Sequence, residues 1–124
     1  MQNHQLSNLI ILCIYKPPNS DIESFTSKFQ KFLKQPIFKN KKIIVSGDIN
    51  IDLLKSDSHQ KTKQFLNEVL SFGLLPLITT PTRITENTST LIDNIFFNFS
   101  HHEYYSRIIY DDVSDHLPIY ANII

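Results

Sequence analysis

Cys13 is the chain's only cysteine, which excludes an internal disulfide and any zinc site built on paired cysteines. Net charge is lacking as well. Twelve lysines and arginines balance twelve acidic residues, so no global field draws in a polyanion. The most apolar run, Leu9–Tyr15, has seven residues, against the ~20 a membrane helix needs. Residues 1–8 are polar and have no basic end, unlike a secretory signal. Internal repeats and low-complexity tracts are missing too. These absences lead to the expectation of a soluble intracellular chain, and 124 residues suffice for one small domain.

The apolar share is ordinary for a globular protein, so a core is possible. Leu9–Tyr15 reads as a central strand, with Cys13 as a small buried hydrophobe inside it. Pro17 and Pro18 stop it. Ser20 and Glu23 fit a capping box. Ile22, Phe25, Phe29, Phe32 and Leu33 then recur at helical spacing, predicting a helix that ends before Pro36. Residues 43–45 are β-branched and read as a strand buried on both faces, broken by Ser46 and Gly47. A second helix is signalled from Ser58, with Phe65, Leu66, Val69 and Leu70 on one face and Gly73 at its C-terminal cap. Short strands follow at residues 74–79, 91–97, 107–110 and 117–124, with a polar loop over 82–90. Alternating strands and helices predict an α/β layered fold.

The positive charge that exists is local. Lys28, Lys31, Lys34, Lys39, Lys41 and Lys42 fall within one short span. They read as the solvated face of a helix and its exit loop, with a phosphate-contacting patch as the alternative.

Four polar sites stand where strands should end: Tyr15, Asp48 with Asn50, Asp93, and Asp115 with His116. Asp93 is the most informative. A carboxylate flanked by Leu91, Ile92, Ile95 and Phe96 is costly to bury without a partner, and His116 is the histidine placed at a strand boundary. His4, His59, His101 and His102 lie in polar surroundings and read as surface residues. An Asp–His pair fixes the imidazole tautomer and lets the ring take a proton from water. Asp48 and Asp115 offer the hard oxygens that magnesium prefers. Asn50 offers an amide donor to an oxygen gaining charge. Together they suit phosphodiester hydrolysis. Taken one at a time, each has a plainer reading: Asp48 and Asn50 as turn or cap residues, the Asp–His pair as a self-satisfied polar contact.

In order along the chain, Tyr15-Lys16-Pro17-Pro18, Ser46-Gly47-Asp48-Ile49-Asn50, Pro81-Thr82-Arg83, Thr90-Leu91-Ile92-Asp93 and Ser114-Asp115-His116 resemble motifs of the endonuclease/exonuclease/phosphatase superfamily. The likeness is to the endonuclease domain of non-LTR (LINE-type) retrotransposon polyproteins. That resemblance implies a metal-dependent DNA endonuclease using Mg2+ or Mn2+, acting in the nucleus if its substrate is chromosomal DNA. It implies that Asp48 orients water or contacts metal and that Asn50 steadies the transition state. Tyr15 would hydrogen-bond the scissile phosphate, Asp93 would orient His116, and Asp115 would help hold metal or the active-site network. Lys16 stands where related sequences often carry arginine.

The family fold is a four-layer α-β-β-α sandwich whose first half supplies an asparagine and a metal-binding glutamate. None of Glu23, Glu68, Glu86 and Glu103 sits in a matching context. The resemblance therefore covers the C-terminal half: residues 1–124 as a partial domain, one mixed sheet with helices, and an apolar inner sheet face seeking the missing half or a second copy. Two other readings stay open. One is a non-catalytic nucleic-acid-binding or interaction module resting on the lysines, Tyr104 and Tyr105; the other is a phosphatase of the same superfamily.

Overall fold

The structure, a computed structural model, describes residues 8–99 and 103–124. His4, His101 and His102 lie outside them.

Strand β1 (Leu9–Tyr15) leads through helix α1 (Ile22–Leu33) to strand β2 (Lys42–Asp48), and the two strands pair in parallel. Helix α2 (Gln60–Ser71) follows, then the two-residue strand β3 (Leu75–Pro76). Arg83–Ile84 (β4) and Ser89–Thr90 (β5) form a small hairpin, and β6 (Asp93–Phe97) runs antiparallel to both β2 and β3. Tyr104–Ile108 (β7) and Ile119–Ile123 (β8) form a second hairpin. The main sheet is thus mixed, with strand order β1-β2-β6-β3.

Both helices cover one face of that sheet. Aromatic rings run through the interface: Phe29 of α1 lies 6.2 Å from Phe65 of α2, which meets Phe96 of β6 edge-on at 6.5 Å. Phe65 and Val69 are fully buried and Leu66 is half-buried, but Leu70 turns to solvent. Gly73, at φ +73°, closes α2 with bonds from its own N–H to Leu70 and from Leu74 N–H to Val69. That reversed pair is the Schellman arrangement, which needs the left-handed backbone glycine supplies.

Several expectations change. Leu9–Tyr15 is not central: β1 pairs with β2 alone and sits at the sheet's edge among the described residues. Its unbroken apolar run hides an alternation, because Ile10, Leu12 and Ile14 pack on the core while Ile11, Cys13 and Tyr15 are exposed on the other face. Cys13 is therefore not buried. Strand β2 is likewise buried on one face only and continues through Ser46 and Gly47. The N-cap of α1 is Asp21, whose carboxylate accepts from Ser24 N–H at 2.8 Å. Ser20 instead donates its hydroxyl to the Pro17 carbonyl. His59 caps α2 through Nδ1. The 82–90 loop is the β4–β5 hairpin, closed by Thr85 and Thr88, whose polar side chains mask any strand pattern.

The second sheet face is only partly open. Phe97 is buried there beneath Phe99 and Tyr104, with ring centroids 5.0 and 5.1 Å away. Ile11, at 61% exposure, remains uncovered. No helix among the described residues is long and apolar enough to cross a membrane.

Asn94, fully buried, stands in for a strand partner. Its side chain accepts from Ile78 N–H and donates to Ile78 C=O at 3.1 and 2.9 Å. Asn94→Leu, similar in branching but bulkier, would strand both backbone groups and should cost about 2–4 kcal/mol. A urea midpoint equal to the unsubstituted protein's would show that those groups are satisfied by something else.

Candidate active site

Strand register builds the site. In the β1–β2–β6 sheet, Tyr15 lies opposite Asp48, and Asp48 lies opposite Asp93. Directly paired residues project to the same face. Three side chains distant in sequence therefore form one row at one end of the sheet. Tyr15, at the open edge, is 64% exposed; Asp48 and Asp93 are half-buried.

Asp48 is the last residue of β2 and its backbone carbonyl accepts from Lys16 N–H at 3.0 Å. Its carboxylate Oδ1 accepts from Asn50 N–H at 3.1 Å. Burial pushes the Asp48 carboxyl above the usual carboxylate range, with Asp93 adding to the push. The Asn50 N–H, His116 and Arg83 pull the other way. Asn50 follows in the left-handed region, φ 46°, a conformation asparagine tolerates better than most residues. From there its side-chain NH2 reaches back to the Lys16 carbonyl at 2.7 Å. One amide proton is thus already engaged; the group has a second.

Asp93 finds the partner its apolar setting demands. Its Oδ2 lies 3.0 Å from His116 Nδ1, and its side chain is 15% exposed against 35% for the histidine. Ser114 shapes the turn that presents the ring: its hydroxyl accepts from His116 N–H and donates to His116 C=O. Asp115, between them, is directed elsewhere. Its Oδ2 accepts from Arg83 Nε at 2.8 Å, and that bond holds its carboxyl below the usual range.

The groups that converge among the described residues are Asp48, Asp93 and His116, whose ligand-capable atoms all lie within 4.8 Å of one another. Two carboxylates and an imidazole in that space suit a divalent cation. The expected metal contribution of Asp115 does not join this group, because Arg83 takes its carboxylate first.

Lys16 was legible only as a departure from a motif. It is 1% exposed, with its ammonium donating to the Pro17 carbonyl at 3.2 Å. Burial draws it below the ordinary lysine value, against the attraction of Asp21 and Asp48. No residue pattern foretells this, since a lysine beside two prolines reads as solvent-exposed. The basic cluster, by contrast, starts β2 at Lys42, six residues from Asp48. At ~3.3 Å per strand residue it sits about 20 Å from the acidic group.

Over residues 9–120 the chain matches the family described as endonuclease-reverse transcriptase. It belongs to that family. Among solved structures, the chain is similar to the endonuclease domain of TRAS1, a telomere-specific non-LTR retrotransposon: TM-score 0.69 at 22% identity, over 88% of this chain and 54% of that one. An AP endonuclease from Archaeoglobus fulgidus superposes with TM-score 0.71 at 15% identity, over 94% and 62%. A family protein from Leptotrichia buccalis gives 0.66 at 20%, over 94% and 49%. At these identities the likeness is one of fold, and it establishes the mixed α/β architecture of the endonuclease/exonuclease/phosphatase superfamily. The chain spans about half the length of two of these three structures. No curated relative matches it in sequence.

Proposed function

We infer that the Asp48–Asp93–His116 group is the working end of a phosphodiesterase site of retrotransposon endonuclease type, with DNA as its substrate. The observation that carries this reading is the convergence of two carboxylates and an imidazole within 4.8 Å, from positions 48, 93 and 116. A divalent cation, held by Asp48 and the groups beside it, would supply a Lewis acid for the phosphate and lower the pKa of a bound water.

The chain's own residues would do the rest. Asp93 holds Nδ1 of His116, leaving Nε2 for the substrate side: a lone pair for a proton when the ring is neutral, a donor to a phosphate oxygen when it is charged. Asp48 orients the attacking water. The remaining amide proton of Asn50 faces charge that grows on a phosphate oxygen. Tyr15, exposed at the end of the same row, supplies a phenol to the scissile phosphate. Arg83 and Asp115 form an ion pair at the rim.

The same reading makes the site incomplete: residues 1–124 form the C-terminal half of a sandwich, and the glutamate that the family resemblance implies is lacking. Fewer charged ligands weaken magnesium binding, since that ion dehydrates reluctantly. The uncovered sheet face around Ile11 and Tyr15 would take the other half of the domain or a second copy.

Supercoiled plasmid and magnesium test this. The chain alone should nick weakly or not at all. Extended by the in-frame sequence upstream of Met1, if that encodes strands ending in an asparagine and a glutamate, it should nick robustly, and His116→Ala should lower the rate about 10²- to 10⁴-fold. Robust nicking by the chain alone that vanishes in Asp48→Ala would keep the nuclease and remove the incompleteness. Salt-sensitive DNA binding that survives both substitutions, without nicking in either form, would favour a binding module instead. A groove of about 600 Å³ lined by Lys34, Lys39, Lys41 and Phe72 is where that second reading would begin.

A further inference from the structure

Asp93 and His116 meet, yet their strands do not pair. β6 bonds to β2 and β3, whereas His116 bridges to Arg83. The β4 segment holds the chain around His116 at several points, Ile84 N–H to the Asp115 carbonyl and Arg83 to the Asp115 carboxylate among them. Thr82, fully buried, bonds both that chain and the Asp93 backbone. Its hydroxyl oxygen accepts from Ile92 N–H at 3.2 Å and from Asp93 N–H at 3.0 Å. Two amides fill both lone pairs of a hydroxyl. Its backbone carbonyl accepts from Leu117 N–H at 2.6 Å, one residue beyond the histidine. Its own N–H goes to Thr90, closing the β4–β5 hairpin around the junction.

We propose that Thr82 is the positioning residue that fixes the Asp93–His116 hydrogen bond, through a hydroxyl that holds the Asp93 backbone and a carbonyl that holds the segment carrying His116. Register is the reason. A side-chain hydrogen bond tolerates only a few tenths of an ångström, and the two segments have no ladder of their own to set their spacing. The hydrogen bonds of Thr82 go to backbone groups, not to the Asp93 carboxylate or the His116 ring, so it acts through the pair. This rests on reading Asp93 and His116 as a working pair, but its test needs no catalysis.

The ring of His116 reports the contact. With Nδ1 donating to Asp93, the neutral ring carries its proton on Nδ1, and long-range proton–nitrogen NMR of the labelled full chain distinguishes that tautomer from the Nε2 form. His116→Gln identifies the resonance among the five histidines. Thr82→Ser keeps the acceptor and should retain the Nδ1 form. Thr82→Val keeps the volume but not the acceptor, and should shift the ring to a mixture dominated by Nε2. A folded Thr82→Val with the original ring pattern overturns the proposal, as does loss of the pattern in both variants.

Thr82→Val leaves two buried amides unpaired. Should that variant fail to fold, amide exchange in the unsubstituted protein decides. Protection of Ile92 and Asp93 equal to that of Ile95 supports the clamp; exchange as fast as exposed loop amides overturns it. Either outcome leaves the plasmid assay as the separate test of nuclease function.

Discussion

Gly47→Ala is expected to separate β1 from β2 at the end that carries the site. Gly47 lies opposite Ile14 in the parallel ladder. A Cβ placed on it would stand 1.8 Å from the Ile14 carbonyl oxygen and 2.8 Å from its carbon. Both atoms belong to the backbone, so no rotamer change relieves the clash, and one strand must move. Its neighbours in the ladder are Tyr15 and Asp48, so the displaced pair belongs to the Tyr15–Asp48–Asp93 row. The cost should reach about 3–5 kcal/mol, at the upper end for overpacking and a large share of a small domain's stability. A urea titration measures it. A midpoint unchanged by the alanine would mean that the strands do not approach so closely, and the Tyr15–Asp48–Asp93 row would lose its basis.

Asp48→Asn should make the protein more stable and, on the proposed function, impair nicking by the upstream-extended chain. The carboxyl of Asp48 is raised by burial, with the Asp93 charge close by adding to it. A carboxyl whose folded-state value lies above its unfolded value costs stability while ionised. That cost is present at neutral pH and is relieved as pH falls through the folded-state value. An asparagine carries no charge, keeps an oxygen for the Asn50 N–H, and no longer repels Asp93. The variant should therefore melt higher near neutral pH. The gap should narrow on acidification. In the upstream-extended form, nicking should fall about 10²- to 10⁴-fold, because a neutral amide neither orients water as a carboxylate does nor holds a cation as well. A variant that melts lower at neutral pH would show that Asp48 is a structural anchor instead of a strained functional group.

Asp115 answers the same logic with the opposite sign. Its carboxyl is held low by Arg83. Whatever that exposed pair contributes is present above the unfolded carboxyl value and is lost as pH falls through the lower, folded one.

Much of this was readable in the chain, and the reasons are local. Helix α1 followed from the spacing of Ile22, Phe25, Phe29 and Leu33, and the end of α2 from Gly73, because helical period and left-handed backbone are written into residue order. Asp93 and His116 could be matched because a carboxylate among aliphatic residues needs a partner. Strand environment was not readable. Leu9–Tyr15 looks the same whether one face or two are covered, so β1's place at the edge and the exposure of Cys13 depended on what packs against it.

By itself, then, the order of residues determined the two helices, the strands β1, β2 and β6, and the need of Asp93 for His116. The tertiary structure alone decided how they meet. Register set Tyr15, Asp48 and Asp93 in one row, Arg83 drew Asp115 aside, and Thr82 tied two unpaired segments together. Those outcomes depend on hydrogen bonds between residues dozens of positions apart, and such bonds leave no period in a sequence.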